Sequence, residues 1–178
     1  MKIGIFVCAI FLFFVAPLSR ADSLYVGPIF GGTSYTDATG QMGRQSQTSY
    51  GLENFVIHDH WSVGLSYIYF APGEDGTDSI NVDQSDHWLS VQGRYRFWNE
   101  DFSPYVSVGA GGIYQFVSTT VMNYTERTNG LFFINDFGIG LMGRISGQFG
   151  ANVSAKYYQF SNVNGFDYYI SIGFFPDL

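Results

Sequence analysis

Acidic residues are concentrated in one stretch of this chain and could bind a divalent cation. Glu74, Asp75 and Asp78 lie close together, two more aspartates follow, and no basic residue interrupts residues 71–86. Carboxylate oxygens are the ligands that Ca²⁺ and Mg²⁺ prefer, although this spacing is not that of an EF-hand. A solvated acidic loop accounts for the same residues, so we predict no resident cofactor and keep the three acids as an alternative metal site.

Two further motifs could carry chemistry. His58 and His60 flank Asp59 and could chelate a metal, but a polar turn next to Trp61 explains the same residues. The glycines at 109, 111 and 112 lie inside an apolar segment rather than between a strand and a helix. They therefore indicate close packing or a bend in a strand, not a phosphate-binding loop.

The elements that must position these residues are β-strands. In the last segment, alternate residues are apolar or aromatic: Phe166, Tyr168, Ile170, Ile172 and Phe174. Successive side chains of a strand point to opposite faces, so one face of this segment is hydrophobic and the other is small or polar. The same alternation recurs about eight times along the chain, which is typical of a transmembrane β-barrel with lipid outside.

The pattern predicts an eight-stranded antiparallel up-and-down barrel with a filled polar interior. The expected strands cover residues 24–35, 46–57, 61–70, 86–98, 104–117, 130–144, 148–160 and 166–174. Short turns are expected at 58–60, 99–103 and 145–147, and longer loops at 36–45, 71–85 and 118–129. Alternation of short and long connections, with both termini on the short side, is the bacterial outer-membrane arrangement.

The inward face carries charges of both signs. The expected interior network consists of Glu53, Arg94, Arg96, Asp136, Arg144 and Lys156. An eight-stranded barrel is just wide enough for side chains to fill, and buried charges must pair. We therefore predict a salt-bridged plug, with a gated ion path as the alternative.

Aromatic residues are expected to mark the two membrane interfaces. Phe, Tyr and Trp make up 19% of the chain, and Trp61, Trp88 and Trp98 fall near expected strand ends. Their position favours an aromatic girdle over a sugar-binding platform.

The N-terminal segment is expected to be removed. Lys2 is followed by an apolar run and by small residues that end at Ala21, which predicts a signal peptide over residues 1–21 and a barrel domain over 22–178. The single cysteine, Cys8, lies in this leader. The mature chain keeps six of the eight basic residues and all 15 acids, a formal net charge of −9. Nucleic acid is not expected as a partner, because phosphate binding needs a basic face.

The mature chain resembles the small outer-membrane β-barrel superfamily, which includes the outer-membrane protein A and X barrels and the Ail/Lom barrels. The resemblance rests on "YVGPIFGG", "WSVGLSYIYF", "PYVSVGAGGIY" and "DYYISIGF". It implies insertion by the barrel-assembly machinery, outer-membrane lipid and lipopolysaccharide as surroundings, and periplasmic termini. Family members usually end on an aromatic residue, whereas here the alternation stops at Phe174 and four residues follow.

A second resemblance concerns chemistry. Residues 159–162 resemble the His-x-Ser-Asn stretch of outer-membrane lipid A deacylases, which implies Ser161 as nucleophile and Asp167 as the supporting acid. Gln159 stands where that family has its histidine base, and an amide cannot accept the serine proton. A strand that ends in a Ser-Asn turn explains the same residues.

The most economical interpretation is a non-enzymatic monomeric barrel in the outer membrane of a Gram-negative bacterium. Its loops would serve envelope integrity or surface interaction, with a surface ligand that the sequence does not name. A lipid A deacylase that uses Ser161 and a narrow solute channel are the alternatives.

Overall fold

The computed structural model describes residues 23–37, 45–77, 80–98, 101–121, 124–161 and 163–176. The expected signal peptide therefore lies outside the described residues. Eight strands follow one another along the chain, and their alternating side chains explain why each forms a two-faced strand. The strands are β1 (Ser23–Asp37), β2 (Gln45–His58), β3 (Trp61–Thr77), β4 (Ile80–Arg96), β5 (Phe102–Val121), β6 (Tyr124–Ser146), β7 (Phe149–Phe160) and β8 (Val163–Phe174).

The eight strands close into a barrel, as the sequence predicts. Each strand pairs antiparallel with its neighbours in sequence, and β8 pairs with β1 to complete the ring. The described ranges contain no helical segment that could span a bilayer.

The two faces of the wall follow the predicted alternation. In β8 the side chains of Phe166, Tyr168, Ile170, Ile172 and Phe174 are all exposed on the outside. The intervening residues, including Asp167 and Tyr169, are buried inside. The outer surface is therefore an apolar band of the kind that faces lipid.

Strands β3 to β6 are longer than predicted, because most of the expected loops 71–85 and 118–129 are strand. β3 and β4 stay paired up to Thr77 and Ile80, and β5 and β6 up to Val121 and Tyr124. The prediction of long loops at these two places was wrong. Residues 38–44, which make up most of the first expected loop, lie outside the described residues.

The extra strand length forms a four-stranded sheet that rises beyond one end of the barrel. We call residues 71–77, 80–86, 115–121 and 124–130 the projecting sheet. β3 leaves β2 after the Ser49–Phe70 pair, and β6 meets β7 only from the Ile134–Phe160 pair onward. Its seven residues per strand span about 23 Å at roughly 3.3 Å per residue.

The interior is filled in three layers. A cluster of apolar and aromatic residues that includes Phe70, Trp88 and Tyr158 fills the half near the projecting sheet. A second cluster that includes Tyr25, Phe55 and Tyr105 fills the opposite half, where the short turns lie. Charged and polar side chains lie between the two clusters, so the filling is more apolar than the sequence analysis implied.

A residue just after β8 closes this second half of the barrel. Phe175, just after β8, is buried, and its backbone N–H donates to the carbonyl of Gln148 at 2.7 Å. Its ring lies 5.0 Å from that of Tyr25. The guanidinium of Arg144 lies over the same ring at 5.1 Å. The Phe175 ring therefore closes the end of the barrel at which the short turns lie.

Candidate functional site

The central feature of the interior is an ion pair between β2 and β4. Nη2 of Arg94 donates to Oε2 of Glu53 at 2.7 Å, and both side chains are fully buried. The Arg94 guanidinium also lies 3.4 Å from the ring centroid of Phe55 and 4.7 Å from that of Tyr105. The cation is thus held by a carboxylate and by two aromatic faces, which compensates for the loss of water.

Neutral side chains complete the shell of Glu53. Nδ2 of Asn152 donates to Oε1 at 2.6 Å, and the hydroxyl of Tyr169 donates to Oε2 at 3.0 Å. The hydroxyl of Tyr105 in turn donates to Oδ1 of Asn152 at 2.8 Å. Asn152, Tyr105 and Tyr169 were not among the residues of the expected network, although their inward parity on β7, β5 and β8 could have placed them inside.

The other charges of the predicted network occupy two different environments. Asp136 and Lys156 are buried, and the Lys156 ammonium lies 4.8 Å from the ring of Tyr169 and 5.5 Å from that of Trp88. Arg96 and Arg144 are only half-buried. They border a small cavity of about 110 Å³ at the mouth that Phe175 closes.

The structure places two of the three tryptophans of the predicted girdle outside the barrel and the third inside. Trp61 and Trp98 are exposed on the outside, at 62% and 54%, near the short turns. Trp88 is fully buried inside the barrel, where it packs near Phe70 and Tyr158. It shares the parity of Arg94 on β4, so the alternation turns its ring inward and removes it from the girdle.

The structure does not bring the deacylase-like residues together. Ser161 is exposed in the tight turn between β7 and β8, with a positive φ of 48°. Asp167 is buried four residues below the start of the Phe160–Val163 pairing, about 13 Å down the strand, and faces Lys156 and Ser49. An acid inside the barrel cannot orient a base for a serine at the rim.

The alternative metal site falls outside what the structure describes. The side chains of Glu74 and Asp75 and the whole of Asp78 belong to the residues that it leaves out. In the remaining, described part of the chain, no group of three His, Cys, Asp or Glu side chains is placed to hold a metal ion.

Comparison with known proteins agrees with this architecture. The family model of the outer membrane protein beta-barrel domain matches residues 5–174. The chain belongs to this family. Membership locates the protein in the outer membrane of a Gram-negative bacterium, in contact with lipid and lipopolysaccharide. No curated protein sequence matches the chain.

Solved structures share the fold at low sequence identity. The attachment invasion locus protein Ail of Yersinia pestis has a TM-score of 0.64 at 17% identity, covering 86% of this chain and 97% of its own. Neisserial surface protein A also has a TM-score of 0.64, at 11% identity, with coverages of 85% and 96%. The N-terminal barrel of Pseudomonas aeruginosa OprF has a TM-score of 0.55 at 18% identity, with coverages of 88% and 98%. These similarities establish a common barrel.

Proposed function

We propose that this protein is a non-enzymatic outer-membrane scaffold that presents its projecting sheet to a partner at the cell surface. The observation that carries the proposal is the extension of β3 to β6 beyond the rest of the wall. Residues 124–129 of β6 are exposed on both faces, so this part of the strand packs against no core. A structure that extends a sheet into solvent without a core has surface and backbone available for binding.

The free edge of β6 is the part of the sheet best suited to binding. Within the described residues, positions 124–131 pair with β5 alone, and they contain no proline. Tyr124 at the tip is 70% exposed. Unpaired strand edges are templates for another strand, and natural proteins usually protect them. An extended peptide that adds a strand to this edge is therefore the binding mode we propose.

The charge of the projecting sheet favours a basic partner. Besides the buried Asp86, it carries Glu74, Asp75, Asp83 and Glu126 against the single base Arg127. Complementary charge speeds encounter and excludes partners of the wrong sign. The Ail barrel has been solved in complex with the heparin analogue sucrose octasulfate, which is a polyanion. The acidic sheet of this chain is better matched to a cationic segment.

A hairpin replacement tests this function. Because Val117 pairs with Thr128, residues 118–127 can be replaced by an Asn-Gly turn that suits a two-residue hairpin. The probes are an extended peptide of alternating Thr and Arg, the same composition interrupted by proline, and sucrose octasulfate. Wild-type protein in nanodiscs should bind the first probe at least tenfold more tightly than either of the others, and the replacement should abolish this preference. If wild-type protein and the hairpin replacement bound the Thr–Arg peptide equally well, the proposal would be wrong.

The enzymatic alternative has its own test. Lipid A from cells with and without the protein is compared by mass spectrometry, together with a Ser161→Ala variant. The scaffold function predicts identical acylation in all three. Loss of an acyl chain that depends on Ser161 would show that the protein is an enzyme.

We further propose that residues 1–21 are removed on export and that the barrel-assembly machinery inserts residues 22–178 as a monomer. Phe174, exposed at the end of β8, then serves as the terminal aromatic residue of the last strand. The intact mass of the protein purified from outer membranes should correspond to a chain that begins at Asp22. A mass that includes the apolar leader would contradict this processing.

A further inference from the structure

A groove of about 700 Å³ lies on the outer surface of the barrel, across β2 to β5. Its lining consists mainly of aromatic and hydroxyl-bearing side chains: Tyr50, Leu52, Tyr67, Tyr69, Ser85, His87 and Phe116. It is separate from the interior network and from the free edge of β6.

His87 is the centre of this groove. Its Nδ1 is joined to the hydroxyl of Tyr67 by a hydrogen bond of 2.7 Å. Its ring lies 5.0 Å from that of Tyr69 and 5.7 Å from that of Phe116, the latter edge to face. These contacts fix the imidazole in one orientation. Nε2 makes no hydrogen bond to the described part of the chain and can therefore bond to a ligand.

The groove lies where the apolar band ends and the projecting sheet begins. Leu65, Leu89 and Val91 face outward on the side of the band, whereas Asp83 and Ser85 lie on the side of the sheet. In an outer-membrane protein this level is the headgroup region of the outer leaflet, where amphipathic aromatic side chains collect. A ligand here has its acyl chains against the band and its headgroup against His87.

The lining selects among headgroups. Among the described residues that line the groove there is no lysine or arginine, and β4 carries Asp83 just above it. A headgroup recognised through phosphate would need cations at this place. Tyrosine and phenylalanine faces instead suit the C–H face of a pyranose ring. The hydroxyls of Tyr50, Tyr67 and Ser85, with the imidazole, can exchange hydrogen bonds with sugar hydroxyls.

We propose that this groove binds the sugar headgroup of an acylated glycolipid of the outer leaflet. The sugar stacks on the aromatic rings around His87, and the first methylenes of the acyl chains lie against Leu52. The site depends on the location of the protein in the outer membrane and is independent of strand addition at β6.

The experiment uses the folded full barrel and native mass spectrometry. The probes are dodecyl maltoside, which has a sugar headgroup, dodecylphosphocholine, which has the same chain length, and free maltose. The groove variants are Tyr67→Phe, which removes a hydroxyl, and His87→Phe, which keeps a ring without nitrogens. Tyr157→Phe is the control, because Tyr157 on β7 is 39% exposed, close to the 40% of Tyr67, and lies outside the groove.

Wild-type protein and the control should retain dodecyl maltoside when the ions are activated by collisions in the mass spectrometer. Each groove variant should lower the fraction of protein that retains this detergent about tenfold. Free maltose should not compete, and retention of dodecylphosphocholine should be low in all proteins. Equal retention of the two detergents by wild-type protein, or an equal loss in Tyr157→Phe, would overturn the proposal. Competition by free maltose at the same concentration would also overturn it, because the ligand would then not need acyl chains. Binding of the Thr–Arg peptide by the same variants shows whether the two proposals fail separately.

Discussion

At the scale of single residues, the most consequential contact is the buried pair of Glu53 and Arg94. The alternation of β2 and β4 was enough to place both residues inside. It did not show that they meet, because a partner in a barrel depends on the register of every strand between the two. Trp88 illustrates the opposite case. Its parity placed it inside from the start, but the chemistry of tryptophan, which favours interfaces, led to the wrong assignment.

Loss of one partner of the pair should cost more than loss of both. Arg94→Met leaves a carboxylate in the interior without its cation, so we expect a loss of about 3–5 kcal/mol in the free energy of unfolding. Glu53→Gln/Arg94→Met removes both charges and should recover much of that loss. Urea unfolding in lipid vesicles, followed by tryptophan fluorescence, measures both. A double variant less stable than Arg94→Met would show that the single unpaired charge is not the cause.

At the scale of elements, the number and order of the strands could be predicted, but their lengths could not. Alternating hydrophobicity reveals a strand only where one face meets lipid and the other a packed interior. Residues 80–84 and 117–121 belong to a sheet outside both, and several of them are polar, as in a loop. The predicted ends of β3 and β5 and the predicted starts of β4 and β6 therefore fell near the membrane boundary.

Large aromatic rings inside the barrel also pack across glycines on the neighbouring strand. The alternation of side chains in the sequence does not show these contacts. Tyr105 pairs with Gly140, and Tyr158 pairs with Gly165. A Cβ at Gly140 would meet the Tyr105 ring and the carbonyl oxygen of Val153. This arrangement lets a narrow barrel hold aromatic side chains.

Gly140→Ala should therefore destabilise the barrel, whereas Gly93→Ala should not. Overpacking typically costs about 1–3 kcal/mol, and the Tyr105 ring cannot move without losing its hydrogen bond to Asn152. A Cβ at Gly93 meets no atom within 4 Å, so that variant should stay within about 0.5 kcal/mol of wild type. Denaturant midpoints measured under identical conditions give the comparison. Similar midpoints for both variants would show that the Tyr105 ring does not need a glycine at position 140.

At the scale of the whole molecule, the three layers of side chains fill the interior of the barrel and block a continuous pore. Aromatic clusters fill both halves, the polar layer lies between them, and Phe175 closes the mouth near the short turns. A hydrated ion would have to displace packed side chains from all three layers in order to cross.

Planar bilayers that contain the purified protein should therefore remain silent under an applied voltage. Reproducible conductance steps that disappear when the protein is omitted would contradict a sealed interior and revive the channel alternative. Migration on gels checks that the sample is folded, because a closed barrel should migrate differently before and after boiling.

Burial of the Phe175 ring can be used to follow the maturation of the protein. Its seat is made by Tyr25 from β1, Arg144 from β6 and Gln148 from the turn before β7, so it exists only once the first and last strands have met. The seating of this ring is thus a natural reporter of the last event in barrel formation. A fluorine atom on the Phe175 ring should give a separate resonance when the seam closes, and the time at which it appears would date that event in a living cell envelope.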